Sequence, residues 1–248
     1  MSNEQNNWIG FLQQQGANLD NGRVSDFGNA DAELQAVNDS TIIIPLPHLA
    51  LLRASGADSA EFLQGQTSND VRLVDKENHQ LSSYNTPKGR MLALFTLFMR
   101  DEDYYLQLPQ ELLEAVQKRL TMFVMRSEVK VESADSEIGS FGLNGPQAEK
   151  MLTEVLGGCP AEPGQSLTLD DVTVLRRPGS QPRFICTAGT TRLTTLWQSL
   201  APQTQPCGAA SWDLLEIRAG IPHIVSETVE AFVAQMVNLQ LVNGVNFK

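Results

Sequence analysis

The side chains of this sequence that could carry out chemistry are few and lie far apart. The three histidines show no HxxxH or HxH spacing and the three cysteines form no CxxC, so neither a metal site nor a disulfide framework is indicated. No GxSxG, P-loop, HExxH or GxGxxG pattern occurs. The carboxylate pairs Asp101/Asp103 and Asp170/Asp171 fall in predicted hairpin turns, where acidic residues are common for backbone reasons. Spacing alone therefore predicts no catalytic residue.

Basic residues are the remaining candidates for binding. They cluster at Lys88–Arg90, Lys118–Arg119 and Arg176–Arg177, in a chain whose net charge is −11. Such local positive charge could hold a small anionic ligand, or each pair could be a solvated strand or helix end. A general nucleic-acid-binding surface is disfavoured, because phosphate contacts need clustered Lys and Arg.

The composition predicts a cytoplasmic globular protein. No apolar run approaches the ~20 residues that a membrane helix needs, and the longest, Met91 to Met99, is interrupted by Thr96. The N-terminus is polar and lacks the basic and apolar regions of a secretory signal. At 248 residues the chain has room for one large domain or two modest ones.

The elements that must position the basic residues follow a β-α-β-β-α-β order from residue 49 to 132, which is the split-βαβ, ferredoxin-like pattern. A similar order begins again at residue 138, although no closing strand is obvious. We therefore predict an α+β protein with two ferredoxin-like lobes. The expected segments are a polar N-terminal arm (1–40), a first lobe (41–133), a second lobe (134–205) and a closing helix and strand (206–248). Within the arm, residues 8–12 are typical of one short amphipathic turn and residues 18–38 of a loop or partly ordered stretch.

The last residues show the alternating pattern of a strand, which continues up to the final residue. Val245 and Phe247 alternate with Asn246 and Lys248, after the turn signal Asn243-Gly244. A chain that ends in this way suggests that it is part of a longer protein.

Three sequence blocks together resemble the YgfZ family of folate-binding proteins, relatives of the glycine cleavage aminomethyltransferase (T-protein). The resemblance spans roughly residues 41–248, and its blocks are 56–71, 86–91, and 217–222 with Gln235 and 238–248. In that family the final strand leads into a Lys-Gly-Cys-Tyr-x-Gly-Gln-Glu signature and a C-terminal β-barrel, neither of which is present here. The reactive cysteine of that signature is therefore assigned to none of Cys159, Cys186 and Cys207.

The resemblance implies tetrahydrofolate or a derivative as ligand, held in a central hole between domains. A pterin ring needs aromatic or aliphatic faces with a few polar groups, and a glutamate tail needs Lys or Arg. The expected site residues, which offer such groups or match family-motif positions, are Tyr84, Asn85, Lys88, Arg90, Arg218, Gln235, Asn238 and Lys248. The alternatives are a plain hairpin turn at 85–90, a salt bridge from Arg218 to Glu216 or Asp213, and backbone hydrogen bonding by Gln235 and Asn238.

Two departures from the T-protein pattern bear on catalysis. The aspartate expected soon after the turn glycine is absent from residues 91–94, and the Glu of the "RLEAG" motif is Arg218 here. Without that carboxylate, a binding role is favoured over aminomethyl transfer. The resemblance then implies an accessory protein for iron–sulfur enzymes, including those that thiolate tRNA, with no direct nucleic-acid contact. The alternatives are a one-carbon transferase using a carboxylate such as Asp70 or Glu216, and an interaction module with a vestigial pocket.

Overall fold

The computed structural model describes residues 3–246, with side chains from Trp8 onward. The chain divides into two compact units, one made of residues 1–48 and 135–219 and the other of residues 49–134 and 220–248. We call them the six-stranded unit and the five-stranded unit after their main sheets. Within the described residues, no helix has the length and apolar character needed to cross a membrane.

The helices and strands alternate along the chain, with short 3₁₀ turns between them. The helices are α1 (Asn3–Gln14), α2 (Ala30–Ala36), α3 (Ser59–Gln64), α4 (Leu113–Met122), α5 (Ala148–Leu156), α6 (Thr190–Leu200) and α7 (Ala209–Arg218). The strands are β1 (Asn18–Asp20), β2 (Arg23–Asp26), β3 (Ile42–Pro45), β4 (Leu49–Ser55), β5 (Gln80–Asn85), β6 (Met91–Arg100), β7 (Asp103–Pro109), β8 (Lys130–Ser133), β9 (Ile138–Asn144), β10 (Ser166–Leu169), β11 (Val172–Arg177), β12 (Arg183–Gly189) and β13 (Gln205–Pro206).

The five-stranded unit contains a ferredoxin-like core with one added strand. Its strand order is β5-β6-β7-β4-β8, and all neighbouring strands are antiparallel. The elements β4, α3, β6, β7, α4 and β8 form the βαββαβ pattern, and β5 extends the sheet at one edge. The apolar run of β6 is largely buried, as expected for a strand covered on both faces. The predicted α+β fold class is confirmed.

The six-stranded unit completes its sheet with a strand from far upstream. Its order is β10-β11-β12-β9-β3-β13, so that β3 lies antiparallel to β9 where a closing strand was expected. Strand β13 follows α6 but contributes only two residues, paired in parallel with β3. The sequence grouped β3 with the first lobe, and its pairing instead places it in the other sheet. Because β3 fills that position, no longer strand is needed after α6.

The N-terminal residues are ordered, in contrast to the predicted arm. Trp8 and Leu12 of α1 are buried in the core of the six-stranded unit, where Trp8 meets Trp197 edge-on at a ring-centroid distance of 5.8 Å. Residues 18–38 form the β1–β2 hairpin and α2 rather than a loop. The polar composition concealed this, because two large apolar side chains are enough to anchor α1.

A buried carboxylate holds the segment before α2. Glu33 is 3% exposed, and its Oε1 accepts a hydrogen bond from the Phe27 backbone N–H at 2.7 Å. Its Oε2 accepts from the Gly208 N–H at 2.8 Å, which ties α2 to the start of α7. This carboxylate therefore satisfies backbone donors that would otherwise be buried without partners.

A 3₁₀ turn precedes the strand predicted at residues 245–248, and the described part of that segment, Val245 and Asn246, is not in a strand. Residues 239–242 make a 3₁₀ turn, and Asn238 and Asn243 on either side have φ of 53° and 55°. Asparagine tolerates this left-handed conformation, and the turn predicted at Asn243-Gly244 is present. The Asn69 side chain donates to the Asn243 carbonyl at 2.7 Å and fixes the turn. Phe247 and Lys248 lie outside the described residues.

Candidate functional site

The five-stranded unit contains a cavity of about 300 Å³. It is bounded by β5, β6, the 3₁₀ turn at Gln110–Leu112, α4 and the segment after residue 228. The lining residues are Tyr84, Leu92, Leu112, Ala115, Val116, Lys118, Arg119, Met122 and Val229.

One face of α4 forms a wall of this cavity. Ala115, Arg119 and Met122 follow one another at intervals of three or four residues, which places them on the same side of α4, and Leu112 of the preceding 3₁₀ turn continues this spacing. Met122 is 71% exposed and lies at the open end of this face. The helical spacing thus places apolar side chains and one guanidinium side by side.

Tyr84 and Arg119 provide the polar contact within the cavity. Tyr84 is 3% exposed and shares a side-chain hydrogen bond with Arg119. Burial raises the pKa of the Tyr84 phenol above its usual value, and the Arg119 guanidinium opposes that rise. The Arg119 Nε is buried and has no hydrogen-bond partner among the described residues. This side chain therefore has a donor to spare for a ligand.

The charge of the lining is positive. Lys118 and Arg119 are its ionisable residues apart from the phenol, and none of the described residues that line it is a carboxylate. Leu92 lies in the stretch where the T-protein pattern places an aspartate. Such a site suits a flat or apolar body carrying an anionic group.

The predicted residues at 85–90 form the tight turn that joins β5 to β6. The Thr86 N–H donates to the Arg90 carbonyl at 2.8 Å, and Gly89 adopts a φ of 75°. The Asn85 side chain accepts from the Ser83 hydroxyl at 3.1 Å, while Lys88 is exposed. Tyr84 is thus the one predicted site residue among those that line the cavity.

Arg90 fixes the segment that closes the cavity. Its guanidinium Nη1 donates to the Ala231 carbonyl at 2.7 Å, and its backbone forms an antiparallel bridge with Val233. The Met91 carbonyl accepts from the Glu230 N–H at 2.8 Å. Since Val229 precedes this pinned stretch and lines the cavity, Arg90 acts on the site through the backbone.

The other predicted residues lie elsewhere. Gln235 and Asn238 are exposed, and the Asn238 N–H donates to the Gln235 carbonyl at 3.2 Å within a 3₁₀ turn. Arg218 belongs to the six-stranded unit, where its Nη2 donates to the Asn38 side-chain oxygen at 2.9 Å. Lys248 is outside the described residues.

The ion pairs expected as an alternative for Arg218 form with other partners. Asp213 pairs with Arg23 at 2.5 Å, and Glu216 pairs with Arg183 at 3.0 Å. Asp70, considered as a carboxylate for a transferase, caps the 3₁₀ turn at Val71–Leu73 and pairs with Arg72 at 2.7 Å. Asp70 is absent from the described cavity lining.

Sequence reasoning noticed Lys118 and Arg119 as a basic pair but did not include them in the site. The apolar residues of α4 recur at helical spacing in the sequence, but the face of α4 that meets β5 and β6 depends on the order of the strands in the sheet. The signal that could have found them is the combination of a basic pair with an apolar helical face that ends in exposed Met122.

Comparison with known proteins places this fold in a family. The family described as "GCVT N-terminal domain" matches residues 11–175, which is more than half of the chain. The "tRNA-modifying protein YgfZ" of Colwellia psychrerythraea (strain 34H) is 28% identical over 207 residues, covering 84% of this chain and 63% of that protein. The protein of the same name from Yersinia enterocolitica is 28% identical over 205 residues, covering 83% and 62%. The chain thus spans less than two thirds of the length of these relatives.

A solved structure shows the same fold. The glycine cleavage system aminomethyltransferase T from Bartonella henselae aligns with a TM-score of 0.75 at 17% sequence identity, covering 86% of this chain and 62% of that one. At this level of identity the likeness concerns the fold alone. From the match over residues 11–175, we conclude that the chain belongs to the GCVT N-terminal domain family.

Proposed function

We propose that this chain binds a reduced folate, tetrahydrofolate or a derivative, in the cavity beside α4. The observation that carries the proposal is the Tyr84–Arg119 pair, which provides a buried aromatic face next to a cation with an unpartnered donor. Membership in the GCVT N-terminal domain family supports it, as does the resemblance to folate-binding relatives.

The lining residues suit different parts of such a ligand. The Tyr84 ring and the Leu92 side chain offer the flat and aliphatic faces that a pterin needs. Lys118 and Arg119 offer charge-assisted hydrogen bonds to the glutamate carboxylates. A volume of about 300 Å³ is at the small end of ligand sites, so we infer that the ring enters and the tail extends past exposed Lys118.

We further propose an accessory role rather than aminomethyl transfer. Proton transfer to or from the folate amine needs a titratable group within hydrogen-bond reach, and no carboxylate lines the cavity within the described part of the chain. A cavity of this size also argues against a vestigial pocket filled by side chains. Leu92 lies in the stretch where the T-protein pattern places an aspartate, and this difference favours folate binding over aminomethyl transfer.

The process that we propose it serves is tRNA modification in the cytoplasm. The relatives at 28% identity are named tRNA-modifying proteins. A net charge of −11 opposes direct binding to tRNA, so we propose that the chain acts through iron–sulfur enzymes that modify tRNA.

Titration of the purified chain with tetrahydrofolate under anaerobic, reducing conditions tests the folate proposal. We expect saturable heat in calorimetry and a rise of the melting temperature that grows with ligand concentration. Buffer without ligand and a pterin without the glutamate tail serve as controls, and the tail-less pterin should bind more weakly. Absence of both heat and thermal stabilisation at saturating tetrahydrofolate would refute the proposal.

A further inference from the structure

A row of buried polar side chains crosses the sheet of the six-stranded unit. Arg177 of β11 lies opposite Arg183 of β12, which in turn lies opposite Asn144 of β9. Residues directly opposite on neighbouring strands share a face of the sheet. Their exposed fractions are 5%, 0% and 1%. This polar row has no part in the proposed folate site, which lies in the other unit.

Helix α7 covers the row with two residues of one helical face, Trp212 and Glu216. Gly142 of β9 makes room for the indole, because a Cβ at that position would lie 2.4 Å from Trp212 Cζ3. The Arg183 guanidinium lies over the Trp212 ring, 5.0 Å from its centroid. The tryptophan thus holds the guanidinium plane in place.

The row carries more positive than negative charge. Glu216 is 3% exposed and serves both cations, with Oε1 at 3.0 Å from Arg183 Nη1 and Oε2 at 3.7 Å from Arg177 Nη2. Burial lowers the pKa of Arg183 to about 10, which leaves it cationic at neutral pH. Two guanidiniums and one carboxylate leave one positive charge in excess.

Several donors in the row have no acceptor. The Nε and Nη2 atoms of Arg183 and the Nδ2 atom of Asn144 are buried without a hydrogen-bond partner in the described part of the protein. Buried charges are normally paired, and buried donors are normally satisfied. Excess positive charge and unpaired donors at one place are complementary to an anion with several acceptor atoms.

We propose that the polar row of Asn144, Arg177 and Arg183 is a binding subsite for a small oxyanion, such as a carboxylate or phosphate group. The oxyanion accepts from Arg183 and Asn144, next to the carboxylate of Glu216. The loop at 178–182 joins the two arginine-bearing strands, and its residues Gly179 and Ser180 are exposed. Solvent therefore reaches within one short loop of the buried guanidiniums.

Thermal unfolding at constant ionic strength tests this subsite, with sodium phosphate and sodium acetate as probes and the bulky sulfonate HEPES as the control anion. For the unaltered chain we expect a saturable rise, about 5 °C at roughly 100-fold the half-saturating concentration, with phosphate or acetate and none with HEPES. The probe with the lower half-saturating concentration identifies the preferred oxyanion. Equal curves for all three anions would overturn the proposal.

Arg183→Met keeps the apolar stem of the side chain and removes its charge, so the anion-dependent rise should disappear. The matched control is Arg176→Met, because Arg176 is next to Arg177 in β11 but pairs with Glu149 at 2.9 Å. This control should keep the rise, and an Arg183→Met protein that also keeps it would contradict the assignment.

Glu216→Gln gives an independent test if Arg183→Met fails to fold. It removes the competing carboxylate, so the half-saturating concentration should fall about tenfold. If Arg183 and Glu216 form only a structural ion pair, the variant will be less stable in every buffer, with no steeper dependence on the oxyanion. That result would also overturn the proposal.

Discussion

Helices α4 and α7 each lie beside an arginine, but Arg119 belongs to α4 itself, whereas Arg183 belongs to strand β12 and is covered by α7. In the five-stranded unit, Arg119 is half-buried beside the Tyr84 phenol and borders a cavity. In the six-stranded unit, Arg183 is fully buried between Trp212 and the carboxylate of Glu216. A cation at the edge of a cavity can exchange partners, whereas a fully buried one is part of the packing. This difference fits our proposal that the first site binds a reversible ligand, and it predicts that the second also supports the fold.

The largest expected change in the free energy of unfolding follows from removing the carboxylate that the buried arginines share. Glu216→Ala leaves two buried guanidiniums without their shared carboxylate, so the free energy of unfolding should fall by about 3–5 kcal/mol. Urea denaturation measures it. Asp213→Ala on the same helix is the control, because its pair with Arg23 is partly exposed and should contribute no more than about 1 kcal/mol. Equal losses for the two variants would remove the distinction between buried and exposed cations.

Gly142→Ala tests whether Trp212 packs against β9 too closely to admit one more methyl group. The new methyl group would lie 2.4 Å from the indole, so we expect a loss of about 1–3 kcal/mol in the free energy of unfolding. In Gly10→Ala the added Cβ meets no atom within 4 Å in α1. That control should be neutral or stabilise by up to about 1 kcal/mol.

The smallest effect concerns the ion pair between Arg53 and Glu132 in the five-stranded unit. Hydrogen bonds from Lys130 and Arg53 lower the pKa of Glu132 below its usual value. The folded protein therefore binds this proton less tightly than the unfolded chain does. Its stabilisation is present above the usual glutamate pKa and is lost as the pH falls through the lowered one.

We expect this loss to be at most about 1 kcal/mol, because both side chains are 25% exposed. Urea midpoints of the unaltered chain and of Glu132→Gln between neutral and acidic pH measure it. The two curves should converge at low pH, and a constant difference between them would show that Glu132 contributes no titrating interaction.

The sequence was sufficient to predict elements whose patterns are local. The apolar run Met91 to Met99 forms the largely buried strand β6, and the β-α-β-β-α-β order predicted from residue 49 to 132 is present in the five-stranded unit, because strands and helices leave distinct periods in the sequence. The ferredoxin-like order followed from these elements. The hairpin turn at 85–90 was one of two alternatives, and its composition of Pro and Gly gave the correct geometry.

Features that depend on contacts between distant parts of the chain could not be predicted from the sequence. The pairing of β3 with β9 joins residues 96 to 102 positions apart in the chain, from Pro45 with Phe141 to Ile42 with Asn144, and no local period encodes it. The polar N-terminal residues conceal anchors such as Trp8, which contacts Trp197, and Glu33, which accepts a hydrogen bond from the Gly208 N–H. For the same reason Lys118 and Arg119 were seen as a basic pair but not as neighbours of Tyr84.

The most direct measurement is the affinity for tetrahydrofolate of Arg119→Met compared with Arg126→Met. Arg126 follows α4 and is exposed outside the described cavity lining. Loss of a charge-assisted contact of about 1.5–3 kcal/mol predicts that Arg119→Met binds about 10- to 100-fold more weakly. Arg126→Met should bind like the unaltered chain. Undiminished binding by Arg119→Met would contradict the assignment of the folate site to this cavity.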